Sequence, residues 1–223
     1  MKPASRHSFQ RLTLALAAAA TVAVSLSACL PLIAGGAVGG TLMAIDRRTS
    51  GAQVEDEGIE LRSVGRIREN VMGDVHINVT SYNRQLLLTG EVPNEQTKQL
   101  VQQVVSQVDN VRSVVNELAV EPKSSLTTRS SDTIVTGKVK ATLVDTPDLF
   151  ANAFKVVTER GAVYLMGRVT QREADRVADV VRGIGGVKRV VRVLEIISEE
   201  ELQRLVPAGT SNPPAPGASA PRS

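Results

Sequence analysis

Cys29, in the stretch Leu26-Ser27-Ala28-Cys29, is the only thiol in a chain of 223 residues. A lone cysteine cannot close an intrachain disulfide or supply the paired thiolates of a zinc site. Other reactive side chains are equally sparse. His7 and His76 are the only histidines, and His76 falls at the edge of a predicted strand, where a satisfied or solvated imidazole is the plain reading. Gly183-Ile184-Gly185-Gly186 follows a predicted helix rather than opening one, so it is a helix stop and turn and not a phosphate cradle. Asp175 and Asp179 stand one helical turn apart but are interleaved with Arg172, Arg176 and Arg182, which describes a solvated helix face. Nothing here assembles a nucleophile, an acid–base pair, a metal-ligand spacing or a cofactor loop. No enzyme activity, metal or cofactor is expected.

The surroundings of Cys29 point to export. Residues 12–24 are Leu, Ala or Val at every position except Thr13 and Thr21, and Lys2, Arg6 and Arg11 precede them. A basic start, a short apolar middle and small residues before a cut form a secretory signal, too short to span a bilayer comfortably. The ensemble resembles a bacterial lipobox, with residues 1–28 as signal peptide. The plainer alternative is an ordinary signal with an incidental thiol. The resemblance implies that Cys29 accepts a diacylglyceryl group and becomes the first residue. Each buried methylene contributes about 0.8 kcal/mol, so one acyl chain holds marginally and the two or three implied here hold stably. Leu30 follows where an aspartate tends to signal inner-membrane retention, which leans towards the outer membrane.

The rest of the chain repeats itself. Ile77-Asn78-Val79-Thr80 and Leu86-Leu87-Leu88-Thr89-Gly90-Glu91-Val92 recur 77 residues later as Phe154-Lys155-Val156-Val157 and Val163-Tyr164-Leu165-Met166-Gly167-Arg168-Val169. Val111-Arg112-Ser113-Val114-Val115 recurs as Val187-Lys188-Arg189-Val190-Val191 at an offset of 76. Each copy reads as helix, strand, strand, helix, strand. The first helices are predicted over 59–71 and 132–144, with Asp132 as a cap. Arg160-Gly161 supplies the second hairpin turn, and Asn83 suits a left-handed turn in the first. Thr170-Gln171-Arg172-Glu173 is a capping box, and Pro93-Asn94 opens the matching helix. The expected class is α+β, with two helices packed on a three-stranded sheet in each copy.

A Val-rich strand, Gly-x-Val after a hairpin, an alanine-bearing helix and Gly-Val-x-x-Val before a last strand resemble the BON domain. Asn110 departs from that pattern, standing where a glycine is expected, although Asn tolerates the backbone. The tandem resembles outer-membrane lipoproteins with two BON domains and, less closely, osmotically inducible periplasmic BON proteins, which Cys29 disfavours. The expected organisation is signal peptide 1–28, lipidated Gly/Ala-rich tether 29–54, BON domains 55–121 and 131–198 joined by a linker 122–130, and a tail 199–223. Within that tail, 207–223 is disordered by composition.

Charge separates the two copies. The chain has 26 basic and 23 acidic residues, and losing Lys2, Arg6 and Arg11 with the signal leaves it balanced, which argues against nucleic acid as a partner. Residues 55–121 hold 6 basic and 11 acidic groups, whereas 130–197 hold 11 and 8. A positive module on a lipid tether faces anionic headgroups that attract each nearby Lys or Arg by about 1 kcal/mol. The candidate surface is the first helix of the second copy with the loop after it: Ile134, Val135, Lys138, Val139, Lys140, Leu143, Leu149 and Phe150. The resemblance implies contact there with anionic phospholipid such as phosphatidylglycerol or cardiolipin, with an aromatic residue where this chain has Ile134. It further implies the outer-membrane β-barrel assembly machinery as a partner, enrichment at division sites and a part in envelope integrity. A protein-interaction scaffold, docking through the acidic first copy, is the competing expectation.

Overall fold

The computed structural model describes residues 46–205. Cys29, the signal stretch, the tether up to 45 and the tail from 206 lie outside the described residues.

The first copy comprises α1 (Ser50–Asn70), β1 (His76–Tyr82), β2 (Gln85–Val92), α2 (Glu95–Ser106), β3 (Ser113–Asn116) and β4 (Ala119–Val120). The second comprises α3 (Leu126–Val144), a 3₁₀ turn (Ala151–Ala153), β5 (Phe154–Glu159), β6 (Ala162–Val169), α4 (Gln171–Arg182) and β7 (Arg189–Ile196), followed by α5 (Glu199–Leu205). In each copy a hairpin is joined by a parallel last strand, so that β2 and β6 are central. The α+β order expected from sequence holds. In the first copy, however, the last strand is split, because Asn116 Oδ1 accepts from the Leu118 N–H at 3.2 Å and breaks the ladder before β4 resumes it.

Both first helices begin earlier than their apolar periodicity suggests. Thr49 caps α1 by accepting from the Ala52 N–H, and Ser125 caps α3 by accepting from the Thr128 N–H. Most of the expected linker 122–130 is therefore helix. Asp132 is not a cap; it lies inside α3, buried, with its carboxylate accepting from the Arg160 and Gly161 N–H groups at 2.8 Å each. Its counterpart Asp56 accepts from the Asn83 and Arg84 N–H groups, Ser81 Oγ and Arg48 Nη1, all at 2.7 Å. Both turns have two successive residues at positive φ: Asn83 (49°) and Arg84 (66°), then Arg160 (52°) and Gly161 (79°). Such two-residue turns match strand twist but leave their N–H groups pointing at the helix, where the aspartate receives them. The capping box of α4 forms as expected, and Asn110 takes φ 68° where the second copy has Gly186.

The glycine of each Gly-x-Val motif has a steric cause. A Cβ on Gly90 would lie 2.1 Å from the His76 carbonyl oxygen, and one on Gly167 2.3 Å from that of Ala153. Gly90 also sits at φ 112°. Gly90→Ala is expected to lower the urea midpoint by the equivalent of about 2–4 kcal/mol. Gly65→Ala in α1, where a Cβ meets nothing within 4 Å, should leave it unchanged or raise it.

Each sheet is buried on both faces. Leu86, Leu88 and Val92 pack with Ile59, Ile67, Val101 and Val105 in one core; Val163, Leu165 and Val169 pack with Val139, Leu143, Val177 and Val181 in another. From the opposite sheet faces, Tyr82 and Leu87 meet Tyr164, Met166 and Val193 in a third cluster. The layers thus run helix, sheet, sheet, helix. Ion pairs rim this joint: Lys155–Glu60 at 2.8 Å, Arg160–Glu121 at 2.5 Å, Arg189–Glu117 at 3.0 Å and, in the reverse sense, Arg112–Glu195 at 2.9 Å. Much of the charge contrast between the copies is therefore neutralised where they meet.

Two arginines ahead of α1 tie the copies together. Arg47, 3% exposed, makes a bidentate pair with Glu173 at 2.7 and 2.8 Å and donates to the Arg168 carbonyl at 2.9 Å. Arg48 pairs with Asp46 and Asp56 and stacks 4.2 Å from the Tyr82 ring centre. Residues assigned to a tether are thus part of the fold from Asp46 onwards. At the other end, α5 folds Glu199–Leu205 back with Leu202 buried and Arg168 paired to Glu201 at 2.5 Å.

Candidate functional site

The α3 helix has one buried stripe and one open one. Val135, Val139 and Leu143 are 0–6% exposed and form the core of the second copy, as does Leu149 in the following loop. These four cannot meet a lipid in the folded protein, and the structure removes them from the candidate contact set. Phe150 is half-buried against the same core, with the Arg47 guanidinium 5.9 Å from its ring centre. It is a packing residue here, not a free wedge.

Ile134, Lys138 and Lys140 remain on the outside. Ile134 is 61% exposed, and neither lysine has an ion-pair partner among the described residues, the nearest contact being Lys138 Nζ to the Gly185 carbonyl at 3.5 Å. Two exposed aliphatic residues that sequence reasoning missed join them: Leu126 and Val144, 80% and 72% exposed. Leu126 escaped notice because it falls in the first turn, where a linker was expected. The sole carboxylate of α3 is the buried Asp132, so the open face is Ser, Thr, Gly and Ala with three aliphatic side chains and two ammonium groups. The matching helix α1 also exposes two aliphatic side chains, Val54 and Leu61, but sets them among Glu57, Arg62, Arg66, Arg68 and Glu69. No described helix is long and apolar enough to cross a membrane.

At the C-terminal end of α3, Lys140 and Val144 line an open cavity of about 460 Å³ with Asp46, Arg48, Tyr82 and Lys155. Burial pushes the Tyr82 hydroxyl up to about 12, reinforced by the Asp46 carboxylate, so it stays protonated.

His76 is a half-buried, hydrogen-bonded imidazole, as one of the plain readings of the sequence expected. It opens β1 directly across from Glu91 in β2, and its Nδ1 lies 2.9 Å from Glu91 Oε2.

Two mixed αβ modules of this topology define a class. The chain belongs to the BON-domain family, whose model, described as "BON domain", matches residues 56–122 and 131–198. Outer membrane lipoprotein DolP of Haemophilus influenzae is 34% identical over 176 residues, covering 78% of this chain and 91% of that protein. A 21 kDa hemolysin of Actinobacillus pleuropneumoniae is 29% identical over 155 residues, covering 69% of this chain and 80% of that protein. Among solved structures, CdsD of the Chlamydia trachomatis type III secretion system aligns over 69% of this chain and 96% of that one. Identity there is 17% and the TM-score 0.28, too loose a superposition for comparison.

Proposed function

We propose that the chain is a non-enzymatic outer-membrane lipoprotein, anchored through Cys29 and facing the periplasm. Its second BON domain holds anionic phospholipid against the open face of α3, and through that contact it supports envelope integrity. The observation that carries this reading is the face itself: Leu126, Ile134 and Val144 exposed beside Lys138 and Lys140, with no exposed carboxylate along the helix. The similarity to DolP supports the outer-membrane setting.

Magnitudes suit a contact that works only together with an anchor. Two lysines contribute about 2 kcal/mol at an anionic surface, and shallow insertion of three aliphatic tips adds a few more. That is millimolar-grade binding in free solution but sufficient once acyl chains confine the protein to the bilayer.

The test is flotation of the Cys29→Ser chain with vesicles. Binding to phosphatidylglycerol or cardiolipin vesicles should exceed binding to phosphatidylcholine vesicles. Lys138→Glu with Lys140→Glu should weaken it more than tenfold, since each reversal converts about 1 kcal/mol of attraction into repulsion. Equal, poor binding to both vesicle types defeats the lipid reading. The competing reading, a scaffold docking through the acidic first copy, would rest on carboxylates such as Glu57, Glu69, Glu95 and Asp109, since Glu60, Glu117 and Glu121 are paired with the second copy.

A further inference from the structure

We propose that His76, Glu91 and Glu159 form a divalent-cation site of the zinc class that bridges the two BON domains. Their ligand atoms lie within 4.8 Å of one another, His76 Nδ1 being 2.9 Å from Glu91 Oε2 and 3.9 Å from Glu159 Oε1. Zinc bonds of about 2.0–2.2 Å to nitrogen and oxygen place tetrahedral ligands about 3.3 Å apart, a value these two distances bracket. An imidazole with two carboxylates is a donor set that Zn²⁺ accepts.

The groups are held as ligands need to be. His76 and Glu91 are register partners across β1 and β2, so their side chains share one face, and Glu159 ends β5 of the other domain. Glu91 is fully buried; the Ser124 N–H at 3.1 Å and Arg160 Nη1 at 3.3 Å fix the orientation of its carboxylate. Arg160 lies on Oε1, while Oε2 accepts from the Ser124 N–H and Oγ and faces His76. A cation would take the place of the proton between them.

Glu159 supplies the independent sign. It is 7% exposed, and while Asn78 Nδ2 donates to its Oε2 at 2.8 Å, its Oε1 receives no hydrogen bond among the described residues and faces His76. A carboxylate oxygen that opens on a cavity from a largely buried residue, aimed at an imidazole and lacking a donor, is a place for a positive ligand. An open cavity of about 260 Å³, lined by His76, Asn78, Asp132 and Glu159 with Arg129 and three threonines, leaves room for water to complete the coordination.

The site belongs to the joint and not to the BON fold. At the repeat offset of 77 the counterparts of His76 and Glu91 are Ala153 and Arg168, which ligate nothing. A bound cation would therefore lock β1 and β2 of the first domain to β5 of the second.

The experiment is calorimetric titration of the full-length Cys29→Ser chain with Zn²⁺, with thermal unfolding in Zn²⁺ and in EDTA. One equivalent should bind and raise the melting temperature. His76→Ala and Glu159→Gln should each weaken binding at least tenfold, and His7→Ala should leave it unchanged. Glu159→Gln keeps the shape and removes a buried like-charge pair, so it decides the matter if His76→Ala fails to fold. Absence of saturable binding, or binding indifferent to Glu159→Gln, overturns the proposal.

Discussion

Arg47→Leu should cost about 3–5 kcal/mol of stability and lower the melting temperature by roughly 6–20 °C, although Arg47 precedes every described helix and strand. The substitution strands Glu173, whose side chain is fully buried and whose carboxylate answers both guanidinium nitrogens. Burial alone would raise the Glu173 carboxyl, but the Arg47 hydrogen bonds and the Thr170 N–H outweigh it and hold it below the ordinary range. A depressed folded-state value gives stability that is present above the unfolded value and lost as pH falls through the folded one. The parent protein should therefore weaken below about pH 5. In Arg47→Leu the lone buried carboxylate prefers its proton, so the gap between variant and parent should narrow on acidification. Adding Glu173→Gln, which keeps a side chain able to serve the capping box, should restore much of the loss at neutral pH. Urea unfolding across pH measures all three effects. A full-sized gap at acid pH would show that the pair is not the cause.

Asp56→Ala should be as damaging, at about 3–5 kcal/mol, because it orphans four donors together. Two are N–H groups of a turn whose residues stand at positive φ, one is Ser81 Oγ, and one is the Arg48 guanidinium stacked on Tyr82. The damage should spread from the hairpin to the joint, since Tyr82 belongs to the cluster between the sheets. Burial would raise the Asp56 carboxyl, yet the Arg84 N–H, Ser81, Arg48 and the Asn83 N–H hold it low, so its contribution is likewise lost on acidification. Hydrogen exchange should show faster exchange at Asn83 and Arg84 in Asp56→Ala, with α2 much less affected. Uniform acceleration throughout the first copy would mean that the turn is not a local anchor.

The fold was readable because it is written twice. Two registers of the same strand and glycine pattern fixed the element order, and the Gly-x-Val motif records a contact of about one carbonyl radius. What escaped was whatever depends on two distant segments meeting. Asp132 looks like a cap because aspartate before an apolar stripe so often is one; its true partners, Arg160 and Gly161, are across the hairpin. The sheet-to-sheet joint did leave a trace. Leu86-Leu87-Leu88 and Val163-Tyr164-Leu165-Met166 are unbroken apolar runs, and strands covered on one face alternate instead.

The candidate surface was half legible. Ile134, Lys138 and Lys140 were identifiable from sequence, but Val135, Val139 and Leu143 follow the inward stripe of the same helix and turned out to be core. Charge was legible in part. The acidic and basic copies suggested external partners, and the structure pairs Lys155, Arg160 and Arg189 with carboxylates of the first copy. Lys138 and Lys140 are left for the outer face. Neither Arg47 nor the trio of His76, Glu91 and Glu159 had a local signal, because their spacing in the chain means nothing until the domains meet.

An environment-sensitive fluorophore on Ile134→Cys, in the Cys29→Ser background, reports on the outer face of α3 in place. With phosphatidylglycerol vesicles its emission should shift to the blue, as a group leaving water does, and the same label on Leu61→Cys, on the exposed side of α1, should not respond. No shift at 134, or an equal shift at 61, would contradict lipid contact through the second domain.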